Sequence, residues 1–246
     1  MIIIPMAGLS SRFFDAGFTD PKYKLMLENK TVFFHAVSSF RKFFDVESFM
    51  FVCRDDFDTP AFIEAELEKL GLNNVVLKIL NRETRGQAET VSLSLDSVSV
   101  GDLEPLTIFN IDTFRPNFEY PRCFSVTEVD GYLETFIGSG KNWSNVVPGH
   151  GGHVKYTAEK MEVSEYCCTG LYYFKRALDF DSAFNVIKDK GTNNQRGNEL
   201  YIAPMYNVLI EQGKDIRFSV IEKDDVVFCG TPDEYNALKA DGDVLL

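Results

Sequence analysis

The sequence predicts an α/β fold in which a mostly parallel mixed sheet is flanked by helices. Short apolar runs alternate with helical patterns through the first half of the chain, and parallel strands need helical crossovers of this kind. The apolar runs are continuous rather than alternating, as expected for strands that are covered on both faces. Candidate ligand-binding residues follow two of these runs, at the sheet edge where α/β proteins bind their ligands.

The first half is expected to contain four strands and three helices. Thr31 is a plausible N-cap of the first helix, Pro60 begins the second helix, and Gly71 ends it. The expected strands are 1–5, 49–53, 75–80 and 106–111, and the expected helices are 31–44, 60–70 and 87–95.

The second half changes character, because short strands joined by glycine-rich turns replace the regular alternation. The expected strands are 131–136, 145–147, 154–156, 169–174 and 216–221, and the expected helices are 176–189, 198–212 and one that opens at Pro232. The chain shows no linker, repeat or low-complexity segment. We therefore expect a single domain over 1–246, with halves 1–115 and 116–246, of which the second adds a smaller β subregion.

Composition excludes several classes of function. The chain has 25 basic and 37 acidic residues and a formal charge of −12, which argues against nonspecific nucleic-acid binding. No apolar run approaches the roughly 18 residues that span a membrane, and the N-terminus lacks the pattern of a signal peptide. The five cysteines include the adjacent Cys167 and Cys168 and form no CxxC pair, so we expect neither a disulfide framework nor a zinc site. These features predict a cytoplasmic protein with no nucleic-acid or membrane partner.

The first strand runs directly into a turn of small residues that ends in Arg12. Such a turn brings backbone N–H groups close to a ligand, and oriented amides bind anions. Lys22 and Lys24 add cations nearby, which favours a triphosphate ligand, although a simple strand–helix connection is the alternative because neither common phosphate fingerprint is present. The candidate nucleotide-binding residues of this turn are Pro5, Met6, Ala7, Gly8, Leu9, Ser10 and Ser11.

Further candidate residues stand at other strand ends. Asp112 follows Asn110 at the end of a central strand, where its carboxylate suits Mg²⁺, and a cap is the alternative. Gly86 would let a base or ribose lie against the backbone, and Gln87 could contact a base edge; the alternative is a helix N-terminus with nothing bound. Glu159 and Lys160 lie between two expected strands, where a solvated charge pair is the alternative. His35, on an apolar helix, is expected to be packed.

Taken together, these residues resemble the nucleoside-diphosphate-sugar pyrophosphorylases, which are sugar-phosphate nucleotidyltransferases with a Rossmann-like, GT-A-like fold. That family opens with a strand, a glycine-rich loop that ends in Arg, and a Pro-Lys step. The matching segments of this chain are Ile3–Gly8 with Arg12, Pro21-Lys22, Gly86-Gln87-Ala88, Phe109–Asp112, Glu159-Lys160, Thr169–Tyr172 and Gly230–Glu234. They are collinear with the family and span nearly the whole chain.

The resemblance implies that an acceptor phosphate attacks the α-phosphorus of an NTP and that pyrophosphate leaves. Arg12 would hold the β,γ-phosphates, Lys22 the α-phosphate, and Asp112 a Mg²⁺ cofactor. The implied nucleotide contacts also include Gly86, Gln87, Ala88 and Asn110, and the implied acceptor contacts are Glu159, Lys160, Gly170 and Glu199. The half 1–115 would then bind the nucleotide and the half 116–246 the acceptor.

The chain departs from the family pattern at two points. Asn110-Ile111 precedes Asp112, where hexose-type enzymes carry a Gly, and Phe228 stands where many members have a second metal Asp. Asp224 or Asp225 could replace that ligand only in a different strand register.

Several functional alternatives stay open. The Asn-Ile-Asp-Thr and Gln-Ala-Glu-Thr segments resemble a subgroup from capsule and surface-polysaccharide loci, which includes cytidylyltransferases that act on phosphoglutamine. CTP is therefore slightly preferred, and the acceptor is a sugar 1-phosphate or another phosphomonoester. A GT-A glycosyltransferase usually carries a DxD motif, which is missing here, and a non-catalytic nucleotide-binding regulator is expected to lack the cations Arg12 and Lys22. The sequence leaves a homo-oligomer open.

Overall fold

The computed structural model describes residues 1–96, 100–190 and 199–241. Within these residues the strands are β1 (Ile2–Pro5), β2 (Met26–Leu27), β3 (Lys30–Thr31), β4 (Phe49–Arg54), β5 (Val75–Leu80), β6 (Leu106–Phe109), β7 (Thr113–Phe114), β8 (Gly131–Ile137), β9 (Ser144–Pro148), β10 (Val154–Glu159), β11 (Tyr166–Phe174), β12 (Ile216–Ile221) and β13 (Val227–Phe228). The α-helices are α1 (Ser11–Asp15), α2 (Val32–Ser38), α3 (Thr59–Leu70), α4 (Gln87–Leu95), α5 (Ala177–Lys190), α6 (Met205–Glu211) and α7 (Pro232–Asp241).

The chain divides into two compact units, each built from separate stretches of sequence. The first unit comprises Met1–Ile3, Thr84–Phe109 and Tyr120–Lys223, and the second comprises Ile4–Glu83, Asn110–Glu119 and Asp224–Leu246. Every helix in the described parts of the chain is too short or too polar to cross a bilayer.

The first unit is organised around the long buried strand β11. This strand pairs antiparallel with β6, β8 and β9, while β12 pairs in parallel with β8. Ile2 and Ile3 pair in parallel with β6, and β10 pairs antiparallel with β9. The register between β11 and β8 shifts between Cys168 and Tyr172, and Gly170 lies inside this irregularity with a φ of +97°. A bulge of this kind needs a backbone conformation that glycine adopts at little cost.

The second unit contains the parallel pair β4 and β5, covered by an aromatic core. The Met6 N–H donates to the Val52 carbonyl at 2.8 Å, which joins the end of the first strand to β4. Phe33 of α2 packs against Phe51 and Phe62, with ring centroids 5.3 and 5.7 Å apart. The parallel and mixed pairing, together with the helices, confirms the expected α/β fold class.

Most expected elements are present, but two helices begin or end elsewhere. The helix expected over 31–44 ends at Ser38, although Thr31 caps it as predicted by accepting from the Phe34 N–H at 3.0 Å. Phe40 and Phe43 instead pack on Phe118, with centroid distances of 5.0 and 5.6 Å. Aromatic packing therefore outweighs helix propensity over these residues.

The helix expected over 198–212 begins only at Met205, and residue 198 lies outside the described part of the chain. The backbone before it is engaged elsewhere, because the Leu200 N–H donates to the Arg85 carbonyl and the Ala88 N–H donates to the Leu200 carbonyl. Pro204 then stands at the N-cap of α6, a place where its missing N–H costs little.

Asp181 on α5 gives the first unit a testable pH dependence. Burial, followed by the charges of Asp96 and Asp102, raises the pKa of Asp181 from 3.8 to about 6. A raised pKa means that the fold favours the protonated carboxyl, so this stabilisation is present near pH 4 and is lost as the pH rises through 6. We expect Asp181→Asn to increase the free energy of unfolding by about 1–3 kcal/mol at pH 8, and by less at pH 5, in denaturant titrations. The exposed Asp189 on the same helix is the control, because Asp189→Asn should leave both values unchanged.

Candidate active site

The turn after β1 is fixed at Ser10. Ser10 has a left-handed backbone with a φ of +54°, and its carbonyl accepts from the N–H groups of Phe13 and Phe14 at 2.9 and 3.2 Å. The Ser10 hydroxyl oxygen accepts from the Lys22 N–H at 3.2 Å. Gly8 and Leu9 are exposed at the tip of the turn. The small-residue turn and the Pro-Lys step predicted from the sequence are thus joined directly.

Arg12 lies on α1, a short helix that aromatic contacts hold in place on both sides. Phe13 is buried, with ring centroids 5.4 Å from Phe18 and 6.3 Å from Tyr235. The neighbouring Phe14 stacks on Phe57 at 5.3 Å. Arg12 itself is exposed. Its guanidinium is therefore accessible to a ligand, while the aromatic contacts of its neighbours hold its backbone in place.

Lys24 does not join this group of cations in the way that the sequence suggested. Its ammonium donates to the Phe57 carbonyl and lies 5.0 Å from the centroid of the Phe62 ring. The side chain therefore supports the loop between β4 and α3.

Lys22 and Asp112 form an ion pair within the second unit. Lys22 Nζ lies 2.5 Å from Asp112 Oδ2, and the two side chains are only 23% and 18% exposed. Ninety residues separate the partners in sequence. The residue predicted to bind the α-phosphate and the residue predicted to bind a metal are therefore in direct contact, and each compensates the charge of the other.

The turn that begins at Gly230 packs against Asp112. The Cys229 N–H donates to the Asp112 carbonyl at 2.8 Å, and a Cβ on Gly230 would lie 3.0 Å from Asp112 Oδ2. Glu234 Oε2 closes this turn by accepting from the N–H groups of Gly230 and Thr231, both at 2.9 Å. Burial, followed by the negative charges of Asp112 and Glu234, raises the pKa of the Cys229 thiol to about 12, so the thiol stays neutral.

Phe228, the position at which many members of the family carry a second metal Asp, lies on β13 and pairs with β7. The two strands are antiparallel: Phe228 pairs with Thr113, the residue after Asp112, and Val227 pairs with Phe114. Asp224 and Asp225 lie in the preceding 3₁₀ turn, exposed to solvent. The replacement of the missing ligand at Phe228 by either aspartate therefore stays a prediction of the sequence.

Asp112 is the carboxylate that the sequence predicts as a Mg²⁺ ligand. No cluster of three His, Cys, Asp or Glu side chains suited to a metal occurs among the described residues. The carboxylate faces the open side of Gly230, where a side chain would crowd it. One carboxylate fits Mg²⁺ when substrate phosphates and water complete the octahedral shell. Asn110, half-buried between β6 and Asp112, is the other candidate at this strand end.

The Gly86 turn belongs to the first unit, and Gly86 has a backbone conformation that residues with a side chain rarely adopt. Gly86 has a φ of +118°, and a Cβ there would lie 2.7 Å from the Leu200 carbonyl oxygen and 2.9 Å from Glu199 Cγ. The buried Glu89 carboxylate accepts from the Arg85 N–H at 2.5 Å and from its guanidinium at 3.3 Å. Gln87 is half-buried and Ala88 is buried at the start of α4. The structure thus brings Gly86 beside Glu199, which the sequence assigned to a different substrate.

Gly86 should tolerate no side chain, for two separable reasons. The left-handed φ costs an L-residue about 1–3 kcal/mol, and the contact with the Leu200 carbonyl adds a further penalty. We expect Gly86→Ala to lower the midpoint of thermal unfolding far more than Gly140→Ala. Gly140 is the matched control because its φ is +109° and a Cβ there meets nothing within 4 Å. Equal destabilisation of the two variants would contradict the close approach.

The candidate acceptor residues surround the end of β10. Glu159 is the last residue of this strand, and its Oε2 accepts from the Ser144 hydroxyl. The pKa of the Glu159 carboxyl is raised above its ordinary value, and loss of solvation is the largest cause. Lys160 follows with a left-handed φ of +53°, and its ammonium contacts the Tyr201 hydroxyl and lies 3.7 Å from Glu199 Oε2.

The first unit therefore brings together Glu159, Lys160 and Glu199, as well as Glu199 and Gly86. Gly170 stands in the β11 irregularity. The sequence analysis missed Ser144 and Tyr201, although Tyr201 lies only two residues from the candidate Glu199. Interpreting 198–212 as a helix concealed this segment.

Comparison with known proteins gives a relative that covers the whole chain. A nucleoside-diphosphate-sugar pyrophosphorylase from Vibrio cholerae RC9 is 44% identical, with a TM-score of 0.91 over 98% of this chain and 100% of the other. The inositol-1-phosphate CTP transferase of T. maritima has a TM-score of 0.73 at 14% identity over 98% and 95% of the two chains. HddC from Yersinia pseudotuberculosis has a TM-score of 0.67 at 16% identity over 98% of each chain. These last two share the fold.

No protein-family model matches the sequence, and no curated protein matches it. Identity of 44% over the full length of a relative nevertheless leaves the family in no doubt, and it confirms the resemblance found in the motifs. The chain belongs to the nucleoside-diphosphate-sugar pyrophosphorylases and is a nucleotidyltransferase of the pyrophosphorylase type.

Proposed function

We propose that this nucleotidyltransferase takes CTP as its NTP and a sugar 1-phosphate as its acceptor. CMP moves to the phosphate of the acceptor, and pyrophosphate leaves. The contact between Lys22 and Asp112 is the observation that supports the transfer of a nucleotidyl group. It joins a cation and a carboxylate next to the Ser10 turn. The sugar follows from the family, and CTP follows from the resemblance of the Asn110 and Gln87 segments to the cytidylyltransferase subgroup.

The reaction needs little help from a general base. A phosphate monoester has a second pKa near 6 and is mostly a dianion at neutral pH, so the nucleophile is already ionised. The protein must instead position two anions and compensate their charge. Arg12 would bind the departing β,γ-phosphates, and Lys22 would bind the α-phosphate as charge builds on it.

Mg²⁺ is the proposed cofactor, held by Asp112 and by the phosphates of the nucleotide. A bound Mg²⁺ neutralises phosphate charge and orients the leaving group. Lys22 compensates Asp112 before the substrates bind, and the ammonium must turn toward the α-phosphate for its proposed role. The proposal thus assigns one carboxylate, that of Asp112, and one cation, that of Lys22, to this place.

On the acceptor side, Lys160 would bind the acceptor phosphate, and Glu159 and Glu199 would accept hydrogen bonds from acceptor hydroxyls. The half-buried Glu159 is oriented by Ser144, whose hydroxyl donates to one of its carboxylate oxygens. Gly170 would leave room against β11. Gly86, Gln87 and Ala88 would contact the base or ribose.

A cytidylyltransferase acting on a non-sugar phosphate such as phosphoglutamine is the second candidate. A role in capsule or surface-polysaccharide synthesis, a cytoplasmic location and a homo-oligomeric state stay predictions from the sequence. The family assignment disfavours the glycosyltransferase and the non-catalytic regulator.

A pyrophosphate-release screen tests the proposal. The purified chain is incubated with Mg²⁺ and each of CTP, UTP, GTP, ATP and dTTP, crossed with sugar 1-phosphates, inositol 1-phosphate and phosphoglutamine. We expect the highest kcat/KM for CTP with a sugar 1-phosphate. A preference for phosphoglutamine would select the second candidate, and a preference for another NTP would overturn the assignment of CTP.

Lys160→Ala should separate the two substrates. Loss of a charge-assisted contact to the acceptor phosphate should raise the acceptor KM by about tenfold or more, with little change in the KM of the NTP. Lys155→Ala is the control, since Lys155 is an exposed lysine on β10. A larger effect on the KM of the NTP would place Lys160 on the nucleotide side.

A further inference from the structure

Three side chains form a hydrogen-bonded series in the first unit. The Lys160 ammonium donates to the Tyr201 hydroxyl oxygen, and the Tyr201 O–H donates to Glu199 Oε2. Lys160 Nζ also lies 4.3 Å from the centroid of the Tyr201 ring and 3.7 Å from Glu199 Oε2. The Tyr201 hydroxyl group therefore lies between the Lys160 ammonium and the Glu199 carboxylate.

The direction of these hydrogen bonds follows from the chemistry of the groups. An ammonium can only donate and an ionised carboxylate can only accept, whereas a phenol has one O–H and an oxygen that accepts. Because the single O–H of Tyr201 donates its hydrogen bond to Glu199, the Tyr201 oxygen can only accept a hydrogen bond from Lys160. Glu199 thus sets the orientation in which Tyr201 can hold the ammonium.

The Lys160 ammonium can be held in one position only if its flexible side chain is ordered. Its side chain has four rotatable bonds, and ordering a lysine side chain costs rotamer entropy. The backbone at Lys160 is already restrained, because its φ is +53° and its N–H donates to the Trp143 carbonyl at 3.0 Å. The Tyr201 hydroxyl group extends this restraint to the ammonium, since a hydrogen bond from a charged donor is stronger than one between neutral groups.

We propose that Tyr201 is a positioning residue that holds the Lys160 ammonium ready for the phosphate of the acceptor. This inference rests on the proposed role of Lys160. Tyr201 acts through Lys160, so removing its hydroxyl should weaken phosphate binding only while the lysine is present. The requirement concerns the acceptor side alone, and the NTP should bind as before.

A double-mutant cycle tests the inference on the full chain without nucleotide. Inorganic phosphate serves as the probe, and its dissociation constant is measured by calorimetric titration for the wild type, Tyr201→Phe, Lys160→Ala and the double variant. We expect Tyr201→Phe to weaken phosphate binding by about three- to tenfold, and to add nothing in the Lys160→Ala background. Tyr156→Phe removes a hydroxyl from an exposed tyrosine on β10 and should leave the affinity unchanged.

The possible outcomes distinguish the two proposals. If Lys160→Ala weakens binding while Tyr201→Phe does not, or if Tyr201→Phe has the same effect in both backgrounds, Tyr201 is not the positioning residue and Lys160 keeps its role. If Lys160→Ala leaves the affinity unchanged, both the role of Lys160 and the inference fail. Steady-state assays should agree, with Tyr201→Phe raising the acceptor KM but not the KM of CTP.

Discussion

Lys22→Ala is expected to lower kcat for pyrophosphate release by at least about 10²-fold, equivalent to a loss of about 2–3 kcal/mol of transition-state stabilisation. Charge builds on the α-phosphate as the acceptor attacks, and Lys22 is the cation proposed to compensate it. Water that fills the space of the truncated side chain carries no positive charge and cannot replace the ammonium at the α-phosphate. The interaction strengthens in the transition state, and the loss should therefore appear in kcat more than in KM.

Lys24→Ala is the matched control for this variant. Lys24 occupies the same 3₁₀ turn, but its ammonium donates to the Phe57 carbonyl rather than to a carboxylate. We expect Lys24→Ala to keep kcat within a few-fold of the wild type. A comparable loss in both variants would show that the turn matters only as a support. Near-normal turnover by Lys22→Ala would remove Lys22 from the mechanism.

The Lys22→Ala variant must also be shown to fold. Removing Lys22 leaves Asp112 without its partner, but this carboxylate is 18% exposed and can gain water or a cation. We expect the midpoint of thermal unfolding to change by only a few degrees, because a partly exposed ion pair contributes about 1 kcal/mol or less. Loss of activity without loss of structure would then be a property of the site.

Local sequence signals predicted the elements that position Lys22 and Asp112. Continuous apolar runs identified β4, β5 and β6, and Gly71 marked the end of α3, where it adopts a φ of +72° as a C-cap. The ion pair itself could not be predicted, because its partners are ninety residues apart and meet only through the topology. Local patterns report the strand ends but not which side chains contact each other there.

A different physical reason explains why the sequence did not predict Tyr201. Residues 199–204 carry a helix-compatible pattern, yet their backbone follows the Gly86 turn because Leu200 exchanges hydrogen bonds with Arg85 and Ala88. That pairing requires the left-handed Gly86, whose partner segment lies more than a hundred residues later in the sequence. A single-sequence pattern contains no trace of such a non-local contact, and the tertiary structure overrides the helical propensity.

Asp112→Asn should be as damaging to turnover as the loss of Lys22. The amide keeps the size of the side chain but removes the charge that would hold the proposed Mg²⁺ and that compensates Lys22. We expect kcat to fall by at least about 10²-fold, and the apparent affinity for Mg²⁺ in the presence of CTP to weaken in parallel. Since Lys22 and Asp112 are in direct contact, the double variant Lys22→Ala/Asp112→Asn should lose less activity than the product of the two single effects.

Asp224→Asn provides the control for the assignment of the metal ligand. Asp224 is an exposed carboxylate in the 3₁₀ turn before β13. We expect Asp224→Asn to leave both kcat and the Mg²⁺ dependence unchanged. If Asp224→Asn weakens Mg²⁺ binding while Asp112→Asn retains near-normal turnover, the metal lies at the 3₁₀ turn, and the single-carboxylate site at Asp112 is wrong.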